Sequence, residues 1–531
     1  MKLQRLQYSY QSISLGLVTA FCLVSSISQP VVAKKVVTQS RNQNFLELCR
    51  NRNKLAPVTK KTIDALLKIV SSNNCTLANG KLKGLTELEL DSLDITDLRP
   101  LSSLNNLMRL SLSGNQITDL SPLSSLMQLT TLTASSNRIS DLRPLASLIN
   151  LTSLSLNNNQ VTNLQALASL RNLTSLDFSN NKVEDIKPIS SLTNLTSLTI
   201  GGNQVKDLKS LSPLAKLESL ALYFNKIEDI KPLGSLGKLT SLDLDGNKIK
   251  DIRSLTAMIS LNTLGLNDNQ IKNIKPLSTL VNLTSLTLGS NQITELTSLN
   301  GLTNLNLLTL NNNQFKDVQP LASLTNLGYL NLDANQVKDL RFLAPLVKLT
   351  SLGLSENQIE DLSTLSNLSS LERVSLSKNL IKDIRPLSAL VKLVNLDLDD
   401  NQIKDIQPVS SLIKLEGLSL SSNLITTIQP LSTLVNLEQL SLPRNQILDI
   451  SPLSSLVNLT NLNLARNQIK TVLPLALLTK LNALNLDNNQ ITDVQSLRAL
   501  PKLQKLSMLE NPIANKTCPV KPEEVCDFDI K

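Results

Sequence analysis

Nineteen asparagines stand at a spacing of 22 residues, from Asn115 through Asn137 and Asn159 to Asn511, without one break in register. The stretch Leu107 to Leu126 shows what accompanies each: Leu107-x-x-Leu110-x-Leu112-x-x-Asn115-x-Ile117-x-Asp119-Leu120-x-Pro122-Leu123-x-x-Leu126. One further turn precedes them, with Leu88, Leu90 and Ile95 in phase and Leu93 in the asparagine's place. A 22-residue unit cannot bury its own leucines. It must stack on copies of itself, which makes the chain a solenoid with a continuous core.

This is the leucine-rich-repeat pattern L-x-x-L-x-L-x-x-N, and each part has a physical reading. Leu110 and Leu112 alternate with polar residues, so that segment is a short strand with one face buried. The asparagine amide both donates and accepts, so stacked asparagines can serve main-chain groups otherwise buried and unpaired. Asp119 before Leu120-Ser121-Pro122 predicts a capped, proline-started helical turn on the return side. The fold class that follows is an α/β solenoid: a leucine-rich-repeat horseshoe with a parallel concave sheet of about 20 turns, roughly 95 Å long.

The chain divides into five stretches. Residues 1–33 read as a secretory signal: Lys2 and Arg5 precede an apolar run from Ile13 to Val24, and Val31-Val32-Ala33 predicts cleavage between Ala33 and Lys34. Cys22 would suit a lipoprotein, but Phe21 is not the small residue expected before a lipidated cysteine. The run is too short to span a bilayer, and no stable transmembrane anchor is expected. Residues 34–44 form a flexible lead-in. Residues 45–80 form a helical N-terminal cap, with Ile63, Leu66, Leu67 and Val70 on one face after Pro57. The repeats span 81–511 and a small C-terminal cap 512–531.

Beyond Cys22 the cysteines lie only in the caps: Cys49 and Cys75, then Cys518 and Cys526. Most of the solenoid separates the two pairs, so only the local pairing, Cys49 with Cys75 and Cys518 with Cys526, closes within one molecule. With no histidine in the chain, zinc ligation has little to work with.

Without residues 1–33 the chain has 50 basic against 43 acidic residues, a net +7. The charge is diffuse, since lysines sit beside acids, as in Lys250-Asp251 and Lys404-Asp405. With aromatics at 2% and no base-stacking platform, a nucleic-acid partner is not expected. The absence of histidine excludes His-assisted nucleophilic catalysis. No Gly-rich phosphate loop exists. The sequons at Asn150, Asn172, Asn194, Asn282 and Asn458 recur because the repeat recurs. The expectation is a chain that is not an enzyme and holds no cofactor or metal.

What remains is the sheet face, read from the residues six, four, two and one before each asparagine. Most are Ser, Thr, Asn or Gly. The exceptions are Tyr223 and Phe224 on one turn, Asp243 and Asp245 on the next, and Asp177 two turns earlier. Tyr329 and Asp333 lie five turns beyond Tyr223, and Asp397 and Asp399 follow a turn carrying Arg373. These ten residues are the candidate partner-binding set: Tyr223, Phe224 and Tyr329 as anchors, with the charged residues setting polarity. The paired acids Asp243/Asp245 and Asp397/Asp399 lack the glycine-containing loop of a calcium site, and glycoside hydrolysis would need a pocket.

The 22-residue form resembles the internalin family of bacterial surface proteins over about four-fifths of the chain. That resemblance implies a curved parallel-sheet solenoid with a helical N-terminal cap, whose concave face binds partner proteins. The chain departs from it in its aromatic-poor face and in lacking the immunoglobulin-like segment and wall anchor. The expected function is an exported, monomeric, non-enzymatic scaffold recognising a protein or glycan. The alternative is an envelope-associated structural protein binding cell-wall polysaccharide or itself. Protein-phosphatase regulatory subunits share the repeat length, but the signal peptide argues against them.

Overall fold

The computed structural model describes residues 44–514 and 516–528. The expected signal and its cleavage at Ala33/Lys34 lie outside the described residues.

Among the described residues twenty repeat strands and one strand of the C-terminal cap form a single open parallel sheet of 21 strands. Each repeat strand has three residues and pairs with the next in a register of 22, so Ser219, Leu220 and Ala221 face Ser241, Leu242 and Asp243. The leucines of the pattern are buried: Leu110, Leu112, Ile117, Leu120, Leu123, Leu126 and Leu129 are each no more than 1% exposed, and the same places are filled on every turn. Burying one such side chain is worth about 1.5–3 kcal/mol, which no single turn can realise alone.

The asparagines do what stacking requires. Asn137 donates through Nδ2 to the Leu112 carbonyl of the preceding turn (2.9 Å) and the Ala134 carbonyl of its own (3.2 Å), and accepts from the Ile117 N–H at 2.9 Å. A second ladder runs along the edge where each strand begins. There Asn150, Asn172 and Asn282 donate to the carbonyls of Met127, Ile149 and Ile259, each at 2.9 Å. The sequon asparagines are therefore structural. The return side is 3-10 helix, as in Ser121–Leu123, and Asp119 accepts from the Ser121 N–H at 2.8 Å.

Three helices cover the first turn: α1 (Phe45–Arg50), α2 (Pro57–Ile69) and α3 (Cys75–Lys83). The predicted face of α2 is buried, with Val70 just past its end. The cap runs beyond residue 80 because Asn74 starts α3, accepting from the Thr76 and Leu77 N–H groups at 3.0 Å. Cys49 on α1 is bonded to Cys75 on α3. The cap is fastened to the solenoid through Asp97, which accepts from Thr59 of α2 and from Arg99. At the far end Cys526–Asp527 pairs with Leu506 and Ser507 and is bonded to Cys518, which covers the last turn.

Candidate functional site

The main-chain bonding of each turn decides what the sheet face can offer. The N–H groups three and one before an asparagine bond the following turn, as Leu266 does to Thr287 and Asp268 to Gly289, both at 2.9 Å. The N–H two before it points back, toward a carbonyl already taken by the asparagine ladder, as Leu244 is by Asn269. One donor per turn then needs a side-chain acceptor.

The acids of the sheet face supply it. Asp177 accepts from Ser179 N–H (2.9 Å), Asp243 from Asp245 (3.0 Å) and Asp397 from Asp399 (3.0 Å), all within one turn. Asp245 accepts from Asn267 of the next turn (2.7 Å), Asp333 from Ser355 (2.7 Å) and Asp399 from Ser421 (2.6 Å). Neutral residues do the same, Asn267 for Gly289 at 2.7 Å and Asn331 for Asp333 at 2.8 Å. Pro443, in this column, has no N–H to serve. Capping thus accounts for the places of the acids, though not for their charge, since asparagine caps equally well.

The charge has consequences where it is not compensated. Burial pushes the carboxyls of Asp243, Asp333 and Asp397 up from the ordinary range. Asp245 goes furthest, pushed up to about 6 by burial and then by the charge of Asp243. The two carboxylates converge over Gly265, where a Cβ would lie 2.9 Å from an oxygen of each. Asn331 and Asp333 repeat the arrangement over Gly353. On the return side, by contrast, Asp251 is held down at about 2 by Arg253.

Among the described repeat residues Phe178, Phe315 and Phe342 are buried, leaving Tyr223, Phe224 and Tyr329 at the surface. Tyr223 and Phe224 meet edge to face, ring centroids 5.9 Å apart and planes at 86°. Their rings part in opposite directions. Tyr223 fills the space above Gly201 on the preceding turn, and Phe224 the space beside Gly246 on the following one. Phe224 differs from the sequence reading in one respect: it lies past the strand, at a left-handed φ of 49°, so it forms the shoulder of the sheet rather than its floor. It is 52% exposed.

The structure brings Tyr223, Phe224, Asp243 and Asp245 onto two adjacent turns. It does not bring Tyr329 to them. Tyr329 stands in the column six before its asparagine, between Leu307 and Ser351, and five turns away, roughly 24 Å. Asp177 is two turns off on the other side, and Asp333, Asp397 and Asp399 are further along. Arg373 lies 4.0 Å from Glu372, while Lys378 pairs with Glu356 at 2.6 Å. The sequence reading missed Gly201, Gly246 and Gly265. Other glycines share their columns, such as Gly289, Gly114 and Gly353, so only the stacking of the turns shows which ones lie under a ring or a carboxylate.

Comparison with known proteins agrees with this architecture. Residues 128–169, 171–213, 215–257, 259–301, 303–345, 347–389, 391–433 and 435–477 match leucine-rich repeats, two copies to a match. The crystal structure of an internalin, InlF, from Listeria monocytogenes is 33% identical; the match covers 66% of this chain and 97% of that one, with a TM-score of 0.55. The ectodomain of the Arabidopsis thaliana receptor kinase GASSHO1/SCHENGEN3, solved with CASPARIAN STRIP INTEGRITY FACTOR 2, is 25% identical over 82% of this chain and 65% of its own (TM-score 0.54). The Arabidopsis receptor kinase HAESA, solved with the peptide hormone IDA and the co-receptor SERK1, shares the fold at 21% identity, covering 84% and 91% (TM-score 0.60). No curated protein sequence matches the chain. With repeat matches over more than half its length and an internalin at this identity, the chain belongs to the internalin-like leucine-rich-repeat family.

Proposed function

We propose that this protein is an exported, non-enzymatic scaffold that captures a protein partner on its sheet face, centred on Tyr223 and Phe224. The observation that carries the reading is the placement of that pair. Two adjacent rings stand together on a face made mostly of small and polar residues, each seated over a glycine of a neighbouring turn. Aromatic residues of this kind dominate binding energy at interfaces, because they cover much area at little cost in side-chain freedom. Two disulfides in the caps support export, since such bonds persist in oxidising compartments. Among the described residues no helix is long and apolar enough to cross a membrane.

The test is affinity capture from culture medium and envelope extract, with the wild-type protein beside a Tyr223→Ala, Phe224→Ala variant of unchanged circular dichroism. One stoichiometric protein retained by the wild type and lost by the variant supports the reading. Equal capture by both overturns the site, and retention on insoluble wall material by both would make this an envelope-structural protein.

A further inference from the structure

Two bonds per turn stitch together the loops that follow the asparagines. In the first, the N–H two residues past an asparagine donates to Oδ1 of the next asparagine, from Ile95 with Asn115 to Ile491 with Asn511. In the second, the N–H one residue past an asparagine donates to a carbonyl of the preceding loop, as Gln314 does to Ile293 and Gln358 to Val337, both at 3.0 Å. Among the described repeats one loop makes neither bond to the turn that follows it, and it is the loop of Phe315. The Phe315 N–H has no acceptor, the Phe315 carbonyl receives nothing from Gln336, and Asn335 Oδ1 accepts instead from the N–H of Asn313 at 3.2 Å.

The sequence supplies the cause. This column holds Ile or Val on every other turn from Ile95 to Ile513, and Phe315 alone is aromatic. Phe315 is fully buried, as are Ile293 and Val337 before and after it in the column. A ring in a slot sized for a β-branched side chain overpacks it, and the loop backbone gives way. The sheet side is untouched. Leu310 donates to Asn331 at 2.8 Å and Asn312 to Asp333 at 2.7 Å, and Asn335 still donates to the Leu310 and Leu332 carbonyls at 3.0 Å.

The turn is thus held along the sheet and unstitched along the loop, which is how a hinge is built. Its place is central, since Asn313 is the tenth of the nineteen asparagines. Each turn of a solenoid is supported only by its neighbours, so the turn with fewest bonds is where the rod gives first.

We propose that the loop of Phe315 is a joint built into the solenoid, about which the half carrying Tyr223 and Phe224 flexes against the half carrying Tyr329 and Asp397. The joint stands without the sheet-face reading; a partner touching both halves fixes the angle between them.

Hydrogen exchange read by mass spectrometry and distances between paired spin labels test this on the whole protein. Residues 313–317 are expected to exchange at least about tenfold faster than the equivalent 291–295 and 357–361, and Phe315→Ile to bring them level. Labels on the exposed positions Ile259→Cys and Val391→Cys straddle the joint across six turns, and labels on Met127→Cys and Ile259→Cys span six turns without it. The first pair is expected to give the broader distance distribution and to narrow to the width of the second in Phe315→Ile. Equal exchange in the three loops, or equal widths for the two pairs, overturns the proposal with the native Phe315 alone. So does a Phe315→Ile protein of unchanged circular dichroism that keeps both differences. Loss of partner capture with Tyr223→Ala, Phe224→Ala bears on the sheet face and leaves these readouts unchanged.

Discussion

The ring of Tyr223 fills the space that a Cβ on Gly201, one turn earlier in the same column, would need. Gly201→Ala therefore forces the ring off its seat. The atoms that clash are the far end of a surface side chain that can swing aside, so the expected cost in stability is within about 0.5 kcal/mol. Partner capture should fall while the asparagine ladder stays intact. Urea unfolding and capture measured on the same preparation check this, and unchanged capture would show that the ring has another resting place.

Phe224 holds a backbone conformation that non-glycine residues adopt at a cost of roughly 1–2 kcal/mol. Gly114, Gly202 and Gly246 fill the same column on other turns. Phe224→Gly is thus expected to leave the unfolding midpoint unchanged or raised while weakening capture. A stability loss above about 1 kcal/mol would mean that the ring supports the fold.

Asp245 makes a pH prediction whose sign is opposite to the usual one for a carboxylate. Its carboxyl is raised from 3.8 to about 6 in the folded protein, so between those values the native state binds more protons than the unfolded chain. Its contribution to stability is fully present below about pH 4 and is lost as pH rises through about 6, a change of order 1–3 kcal/mol. Asp245→Asn, which keeps the cap to Asn267, should raise the urea midpoint at pH 7 and leave it nearly unchanged at pH 4. An equal effect at both values would contradict the assignment.

Asn401 tests the ladder away from the candidate site. It donates to the Leu376 and Leu398 carbonyls at 3.0 and 3.1 Å and accepts from Ile381 N–H at 3.1 Å. Asn401→Ala leaves the Ile381 N–H without its partner, at about 1–3 kcal/mol where water cannot reach it, while the Leu376 and Leu398 carbonyls keep their bonds from Asn379 and Asn423. Hydrogen exchange should rise around residues 376–403 and remain slow near residue 154. Uniform loosening of the whole solenoid would argue against nearest-neighbour coupling.

The N-terminal cap can be loosened by itself. Cys49→Ser with Cys75→Ser removes a link across 26 residues, worth roughly 3 kcal/mol. Exchange is expected to rise in α1 and α3, with the strand Ser241–Asp243 unaffected.

How much of this could be read beforehand depended on whether a feature repeats. Leu110, Leu112 and Asn115 recur on every turn, so period alone identified the strand, the buried face and the ladder. The separation of the cysteine pairs identified the disulfides. The asparagines on the entry edge were seen only as sequons, because their acceptors are carbonyls 23 residues earlier in the chain. Asp243 and Asp397 were read as charges facing a partner. Their capping role depends on which N–H the ladder leaves unserved, and that appears only when the turns are stacked. The seats of Tyr223 and Phe224 escaped notice for a related reason. Gly201 and Gly246 matter by what they lack, and nothing in a single repeat marks the lack.

The unvarying strand register has an evolutionary side. A cut and rejoining 44 residues apart joins equivalent atoms to equivalent atoms, and the caps meet the same surfaces as before. Recombination can therefore lengthen or shorten this protein in steps of about 10 Å without redesigning any contact. Added after residue 301, such steps would leave Tyr223 and its neighbours untouched, so the molecule can change its reach and keep its grip.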